Sequence, residues 1–366
     1  MARSTQVAVI GGGVAGLNVA RRLTAADLSF ELFEARDRLG GRVLSVDGTG
    51  TPSDDGIDLG PSWFWPRLQP VIGALADELG LATFPQSTNG DVVFERMSRE
   101  PAQRYTTVAQ EPASMRFAGG SAALVRALRH TIPADRVHLG TTVVGLELLD
   151  AGVRLTCRDE AGSEHHVDAE YAVAALPPRL LEATVGFAPS VGPSISDLWR
   201  GTATWMAGQS KFFALYDSPF WLDAGYSGTA QSMVGPMLEI HDATTQSGQA
   251  ALFGFLGVGA TERRAIGEQA LTDACVAQFA RIFGPQAQRP TATVFKDWAA
   301  DPLTATDADL VSSGHPTAAE TWVGGSWADR LILAGSETSP HEAGYLAGAI
   351  EASDLAAAEL RRRLHV

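Results

Sequence analysis

The chain has 366 residues, 45% hydrophobic and 19% charged, enough for a large core and, by length alone, two lobes. Its formal net charge of −14 speaks against nucleic acid or an anionic membrane surface as partner, and favours a cationic substrate only if acid lies near the site. Cys157 and Cys275 are the only cysteines and show no metal-ligand spacing, the first strand starts at about Val7 with no room for a cleaved signal peptide, and no uninterrupted apolar run reaches about 18 residues; a reducing, cytoplasmic setting is expected.

The apolar run Val7 to Ile10 enters Gly11-Gly12-Gly13-Val14-Ala15-Gly16, a G-x-G-x-x-G closing a predicted strand and opening a predicted helix. Glycines there permit a tight turn and close approach of backbone to phosphate, while the helix N-terminus offers unpaired amides to the anion. A second strand, Phe30 to Phe33, ends on Glu34, eighteen residues past Gly16, where a carboxylate can take ribose hydroxyls. The run Glu34-Ala35-Arg36-Asp37-Arg38-Leu39-Gly40-Gly41-Arg42 then places guanidinium groups and a second glycine pair beside the pyrophosphate. The competing reading is a 2′-phosphate held by Arg36, which Glu34 would repel.

Gly119-Gly120 precedes a predicted helix, and strands are expected from near Arg136 to Leu149, from Val153 to Arg158, and to Ala172-Val173-Ala174-Ala175-Leu176-Pro177-Pro178, in an alternation suited to antiparallel pairing. No repeat or low-complexity linker interrupts the chain. The pattern predicts an α/β fold: a Rossmann-like nucleotide domain from residues 1–66, 116–178 and 321–366, interleaved with an α+β substrate domain from 67–115 and 179–320. Ligand chemistry then falls at the junction.

Lys211 and Lys296 are the only lysines. Lys211 sits inside the apolar strand Ser210-Lys211-Phe212-Phe213-Ala214-Leu215, where it serves a role closed to guanidinium or snorkels from a strand edge. In Pro236-Met237-Leu238-Glu239-Ile240-His241-Asp242, Glu239 and His241 share a face. They bind an amine or, more simply, are exposed polar residues of a sheet. Trp63, Trp65, Trp199, Trp205, Trp221 and Trp298 are expected to pack the junction, with Trp298 nearest a cofactor.

Near the C-terminus a strand, Leu331 to Ala334, leads into Gly335-Ser336-Glu337-Thr338 and then Ser339-Pro340-His341-Glu342-Ala343-Gly344-Tyr345-Leu346-Ala347-Gly348. A helix starting at Tyr345 and Leu346 would turn its N–H groups on a negatively charged ring. His341 and Glu342 either serve the turn before that helix or touch substrate.

Together these blocks resemble the flavin-containing amine oxidoreductases, which include monoamine and polyamine oxidases. The resemblance covers nearly the whole chain in patches. Besides the two ends, it rests on Ile57-Asp58-Leu59-Gly60-Pro61-Ser62-Trp63 along the flavin, His138-Leu139-Gly140-Thr141-Thr142-Val143 as the strand approaching the adenine, and Lys296-Asp297-Trp298 near the isoalloxazine. It implies FAD held by Gly11, Gly13, Val14, Ala15, Gly16, Glu34, Ala35, Arg36, Gly41, Arg42, Gly60, Pro61, Ser62, Val143, Trp298, Ser336, Glu337, Gly344, Tyr345 and Leu346. In that pattern the acidic residue after the C-terminal strand reaches the ribityl chain. Lys211 holds a water beside the hydride-accepting nitrogen, and Tyr345 shapes the amine site; these two are the expected catalytic residues.

The implied reaction is hydride transfer from an amine α-carbon to flavin, with molecular oxygen as final acceptor and peroxide as product. Two departures matter. Where monoamine oxidases carry a flavin-linking cysteine and a second cage tyrosine, this chain has Asp307 and Ala308, which predicts non-covalent FAD and leaves Tyr345 without its usual partner. The incomplete cage keeps open an FAD-dependent dehydrogenase or desaturase acting on another substrate; a non-catalytic flavin-binding assembly subunit is the third reading. A homodimer is compatible with each, and no metal is implied.

Overall fold

The computed structural model describes residues 3–97, 99–106, 111–311 and 314–366. Two large sheets organise it. The first runs in the order Gly186–Ala188, Thr142–Leu149, Gly152–Arg158, Glu164–Ala174, Arg3–Ile10, Phe30–Phe33, Val137–His138, with Leu331–Leu333 paired to Glu164–Ala174. Its centre, from Leu331–Leu333 to Val137–His138, is parallel. Val7, Ala8, Val9 and Leu32 are fully buried, as near-continuous apolar runs in a covered parallel sheet require.

The strand Glu164–Ala174 joins two kinds of sheet. Residues 164–169 pair antiparallel with 153–158, whereas Ala172–Ala174 pair in parallel with Leu331–Leu333, and Val167–Ala174 also run parallel to the first strand. The alternation seen in the sequence therefore describes only its first half; the second half, Ala172 to Ala174, is buried on both faces. The segment expected as one strand from His138 to Val143 is two, because Leu139 to Thr141 turn between a parallel edge pair and the antiparallel strand Thr142–Leu149.

Helices Val14–Ala25 and Leu346–Leu364 pack side by side, and Asn18 Nδ2 donates to Ser353 Oγ at 2.8 Å and to Asp354 Oδ1 at 2.7 Å. Buried amide-to-hydroxyl contacts of this kind fix the register of two small-residue helices. Helix Pro70–Glu78 buries Ile72, Leu75 and Ala76 in the same core, and Trp199, from helix Pro193–Gly201, packs with Val153 and Leu155. Both helices lie in stretches expected for the other lobe.

The second sheet runs Ala292–Asp297, Ser210–Tyr216, Ala250–Leu256, Met237–Asp242, Tyr226–Ser232, Asp91–Glu95, Gln103–Thr106. Period-two alternation sorts its faces. Phe212, Ala214 and Tyr216 face Cys275, Phe279 and Phe283 of helix Glu268–Phe283; Phe213 and Leu215 pack with Val46, Ile57, Phe253 and Trp298 toward the first sheet. Each such buried phenylalanine contributes about 1.5–3 kcal/mol. Cys157 and Cys275 are free and buried in separate cores, with burial pushing each thiol up to about 12. Among the described residues no helix is long and apolar enough to cross a membrane.

Candidate functional site

One cavity of about 990 Å³ lies between the sheets, and all the expected site residues line it except Gly16 and Glu337. Its volume is at the upper end for a small-molecule site, room for a dinucleotide and a small second ligand.

At the nucleotide end the geometry is imposed by backbone. Gly11 has φ +103°, and a Cβ on Gly16 would stand 1.9 Å from the Gly11 carbonyl oxygen, so the strand-to-helix turn admits only glycine there. Helix Val14–Ala25 begins at Gly13 without a side-chain cap, leaving its first amides for an anion. Glu34 is buried, accepting from the Gly12 amide at 2.6 Å and the Arg36 amide at 2.8 Å, so its carboxylate is held in one orientation at the cavity wall.

The arginines are more committed than the sequence implied. Arg36 donates to Asp301 Oδ1 at 2.8 Å and Thr304 Oγ1 at 3.0 Å, and with Glu34 also 4.0 Å away it stands between two carboxylates, a poor receptor for a 2′-phosphate. Arg38 turns back on the carbonyls of Leu39 and Gly41. Arg42 bonds the Trp205 carbonyl at 3.0 Å and Ser336 Oγ at 3.1 Å and pairs with Glu337 at 2.8 Å. Glu337 is fully buried, next in the chain to Gly335 and Ser336 of the cavity lining.

Midway, Gly60, Pro61 and Ser62 pass along the cavity, and a Cβ on Gly60 would meet the Arg42 carbonyl oxygen at 1.9 Å. Lys211 stands against this segment on a strand hydrogen-bonded on both sides, so the edge-snorkelling alternative does not apply. Its Nζ reaches Gly60 O at 2.5 Å, Ser62 Oγ at 3.0 Å and Asp58 O at 3.2 Å. An ammonium has three hydrogens, and here three chain oxygens meet them. Burial pushes this amine down to about 7, against the pull of Asp58. Trp298 donates from Nε1 to Leu59 O at 2.9 Å, and Lys296 lies 4.2 Å from its ring centroid.

The helix Leu346–Leu364 opens onto the cavity through Tyr345, Leu346 and Ala349. The Tyr345 amide is already bonded to Glu342 O at 3.1 Å, so the free positive end begins at Leu346. His341 and Glu342 do not line the cavity. His341 bonds Glu351 at 2.6 Å and Glu342 accepts from Gln69 at 2.7 Å, which assigns both to the turn before the helix.

Around the Tyr345 ring the structure assembles aromatics that no spacing in the sequence announced. Trp65 and Trp205 stand 6.4 and 6.3 Å from it, ring centre to ring centre; His315 stacks on Trp205 at 3.4 Å and bonds the Tyr345 hydroxyl at 3.2 Å. Asp307 and Ala308, where monoamine oxidases carry the flavin-linking cysteine and the second cage tyrosine, lie in a short 3₁₀ turn, Asp307–Leu310, and do not line the cavity; Asp309 and Leu310 do. Trp63, Trp65, Trp205 and Trp298 reach the junction as expected, whereas Trp199 and Trp221 are buried within the first and second cores because each indole N–H finds an internal acceptor, Trp322 O and Asp242 Oδ2.

Glu239 lines the far end. His241 Nε2 donates to its Oε1 at 2.7 Å and holds the carboxyl below the usual carboxylate range, so the shared face read from the sequence is real, and Glu239 is its member on the cavity wall. Arg263 was not anticipated: it lines the cavity, donates to both Asp297 oxygens at 2.6 and 2.8 Å and to Gly208 O, and so fastens the two ends of the Lys211 region. It lies in the short helix Ala260–Ile266, which carries no motif that points to the site.

A family profile described as flavin containing amine oxidoreductase matches residues 14–114 and 102–361. A Mycobacterium tuberculosis protein carrying the name of a flavin-containing monoamine oxidase, AofH, is 27% identical, covering 98% of this chain and 96% of that one. Among solved structures, a putrescine oxidase bound to putrescine superposes with TM-score 0.80 at 19% identity, and cyclohexylamine oxidase from Brevibacterium oxydans with TM-score 0.80 at 19%; each covers 99% of this chain and 100% of the other.

Proposed function

The chain belongs to the flavin-containing amine oxidoreductases and is an FAD-dependent oxidoreductase, and on that premise we propose that it oxidises a small amine at the α-carbon, with oxygen as final acceptor and peroxide as product. The observation that carries this reading is the continuity of one cavity from the Gly11–Gly16 turn to the Trp65, Trp205 and Tyr345 rings. FAD, bound non-covalently, supplies the two-electron acceptor.

The residues present fit that cofactor. Glycines leave room for backbone-to-phosphate approach, Glu34 presents a fixed carboxylate to ribose hydroxyls, and the free amides at Leu346 favour negative charge on the pyrimidine edge. Neither cysteine lines the cavity, which supports non-covalent binding. The aromatic rings enclose a neutral amine and exclude water, with Trp205 taking the place of the missing partner of Tyr345. Lys211 ties Asp58, Gly60 and Ser62 in place, and its ammonium stands at the cavity wall, where a fixed positive charge favours the reduction of oxygen. Aromatics on several sides of Tyr345 weaken the dehydrogenase alternative, whose support was an incomplete cage.

The test is an amine panel offered to the purified holoenzyme, following loss of flavin absorbance without oxygen and peroxide release with it. Bleaching and stoichiometric peroxide are expected from at least one small primary amine. Bleaching without peroxide would turn the reading toward a dehydrogenase.

A further inference from the structure

Trp205 stands beside Tyr345 although the helix before it, Pro193–Gly201, packs in the first core, and one buried ion pair holds the chain between the two places. Arg179 and Asp309 are 6% and 2% exposed. Arg179 donates from Nε to Arg200 O at 2.9 Å and from Nη2 to Gly201 O at 3.4 Å, closing the carboxyl end of that helix. Its Nη1 donates to Asp309 Oδ1 at 2.5 Å, and the same oxygen takes the Thr204 amide at 3.1 Å. The stretch from Gly201 to Thr204 is thus gripped at both ends, and Trp205 is the next residue.

The other carboxylate oxygen of Asp309 holds a different segment. It accepts from the Thr306 amide and hydroxyl, each at 2.9 Å, in the capping box of the turn Asp307–Leu310. A carboxylate offers about four acceptor positions, and four donors meet them here. Asp309 therefore lines the cavity with no lone pair to spare for a ligand; what it sets is the course of the chain. Beyond Thr204 that course is equally restricted, because Arg42 holds Trp205 O at 3.0 Å and a Cβ on Gly344 would stand 2.5 Å from the Trp205 Cβ. A shift at Thr204 accordingly moves the Trp205 ring against Tyr345, which follows Gly344.

We propose that Asp309 is a positioning residue for the amine site: by tying Thr204 to the turn that lacks the second cage tyrosine, it sets Trp205 as the ring beside Tyr345. The loss at Ala308 and the gain at Trp205 are then one arrangement, since the turn supplies no ring of its own but fixes one carried by another segment. The proposal rests on the amine-oxidising reading above. Asp309 acts through Trp205, so its effect belongs to amine binding and disappears when that ring is removed.

The test is a double-mutant cycle. Asp309→Asn is made alone and with Trp205→Leu; should it fail to fold, Arg179→Leu with Asp309→Leu replaces the buried pair by apolar side chains in the same two backgrounds. Kd for benzylamine and hexylamine is read by calorimetry on photoreduced holoenzyme without oxygen, where no turnover occurs. KM and kcat come from peroxide release by the oxidised holoenzyme, with flavin content checked for every variant. With Trp205 present, Kd and KM should rise roughly 2- to 10-fold, the worth of one aromatic partner, while kcat and flavin content change little. In the Trp205→Leu background the Asp309 change should add less than about twofold. Equal changes in both backgrounds, none included, or a loss of flavin would overturn the positioning role while leaving amine oxidation intact. Asp309-dependent binding without oxidation of either amine would keep the role and remove the oxidase reading. Binding of neither amine would overturn the role.

Discussion

The two ends of the cavity are built differently. At the nucleotide end, position is set by main chain: the Gly11–Gly16 turn, the Gly60 crossing over Arg42, and amides that grip Glu34. At the substrate end it is set by side chains from distant loops and strands, Trp65, Trp205, His315 and Tyr345 on one side, Glu239 and His241 on the other. A backbone-built end tolerates almost no substitution at its contact points; a side-chain-built end can change its occupant by changing one ring or one charge.

The sharpest break in that contrast is Gly16→Ala. With the added Cβ 1.9 Å from Gly11 O, the turn must open, and flavin content after purification should fall to near zero; a normally yellow protein would show that the turn yields more easily than its geometry implies. Lys211→Met lies between the two ends. It should retain FAD but react with oxygen roughly 10²-fold or more slowly, measured by stopped flow on photoreduced enzyme; an unchanged rate would confine Lys211 to fastening Asp58, Gly60 and Ser62. It also has a pH signature. Lys211 binds its proton less tightly folded than unfolded, so between about pH 7 and the ordinary lysine range the unfolded chain carries more protons and stability rises with pH. Melting curves across that window should show this slope in the parent and lose it in Lys211→Met.

Glu34→Ala removes a charged acceptor worth roughly 1.5–3 kcal/mol and should weaken FAD binding to the apoprotein accordingly, by titration. Unchanged affinity would place the nucleotide elsewhere. The smallest effect is expected from Trp205→Leu, which keeps the site apolar and removes one aromatic partner of Tyr345. About 0.5–1.5 kcal/mol should appear in KM for amine, with flavin content unaffected. A change in flavin content instead would assign Trp205 to the Arg42 side of its contacts.

How much of this was legible follows the same division. The strand–glycine turn–helix, Glu34 and the C-terminal strand and helix could be read locally, because each is a short stretch whose backbone chemistry is written in consecutive residues. The mixed pairing of Glu164–Ala174 was half legible: alternation marks its antiparallel part, but only the neighbouring strands show where it becomes parallel. Glu337 could be read from its place in the motif, which is local information, while its ion pair with Arg42, nearly three hundred residues away, could not.

The sequence by itself determined the nucleotide-binding turn, the acid at the end of the second strand, and the unusual lysine in an apolar strand, since glycine conformation, strand periodicity and residue scarcity need no partner to be recognised. Only the tertiary structure decided that Trp205 and His315 stand beside Tyr345, that His341 and Glu342 belong to a turn, and that Lys211, Phe255 and Glu239 form one row. These are contacts between segments far apart in the chain, fixed by sheet register and by which side chains the two cores leave over for the space between them.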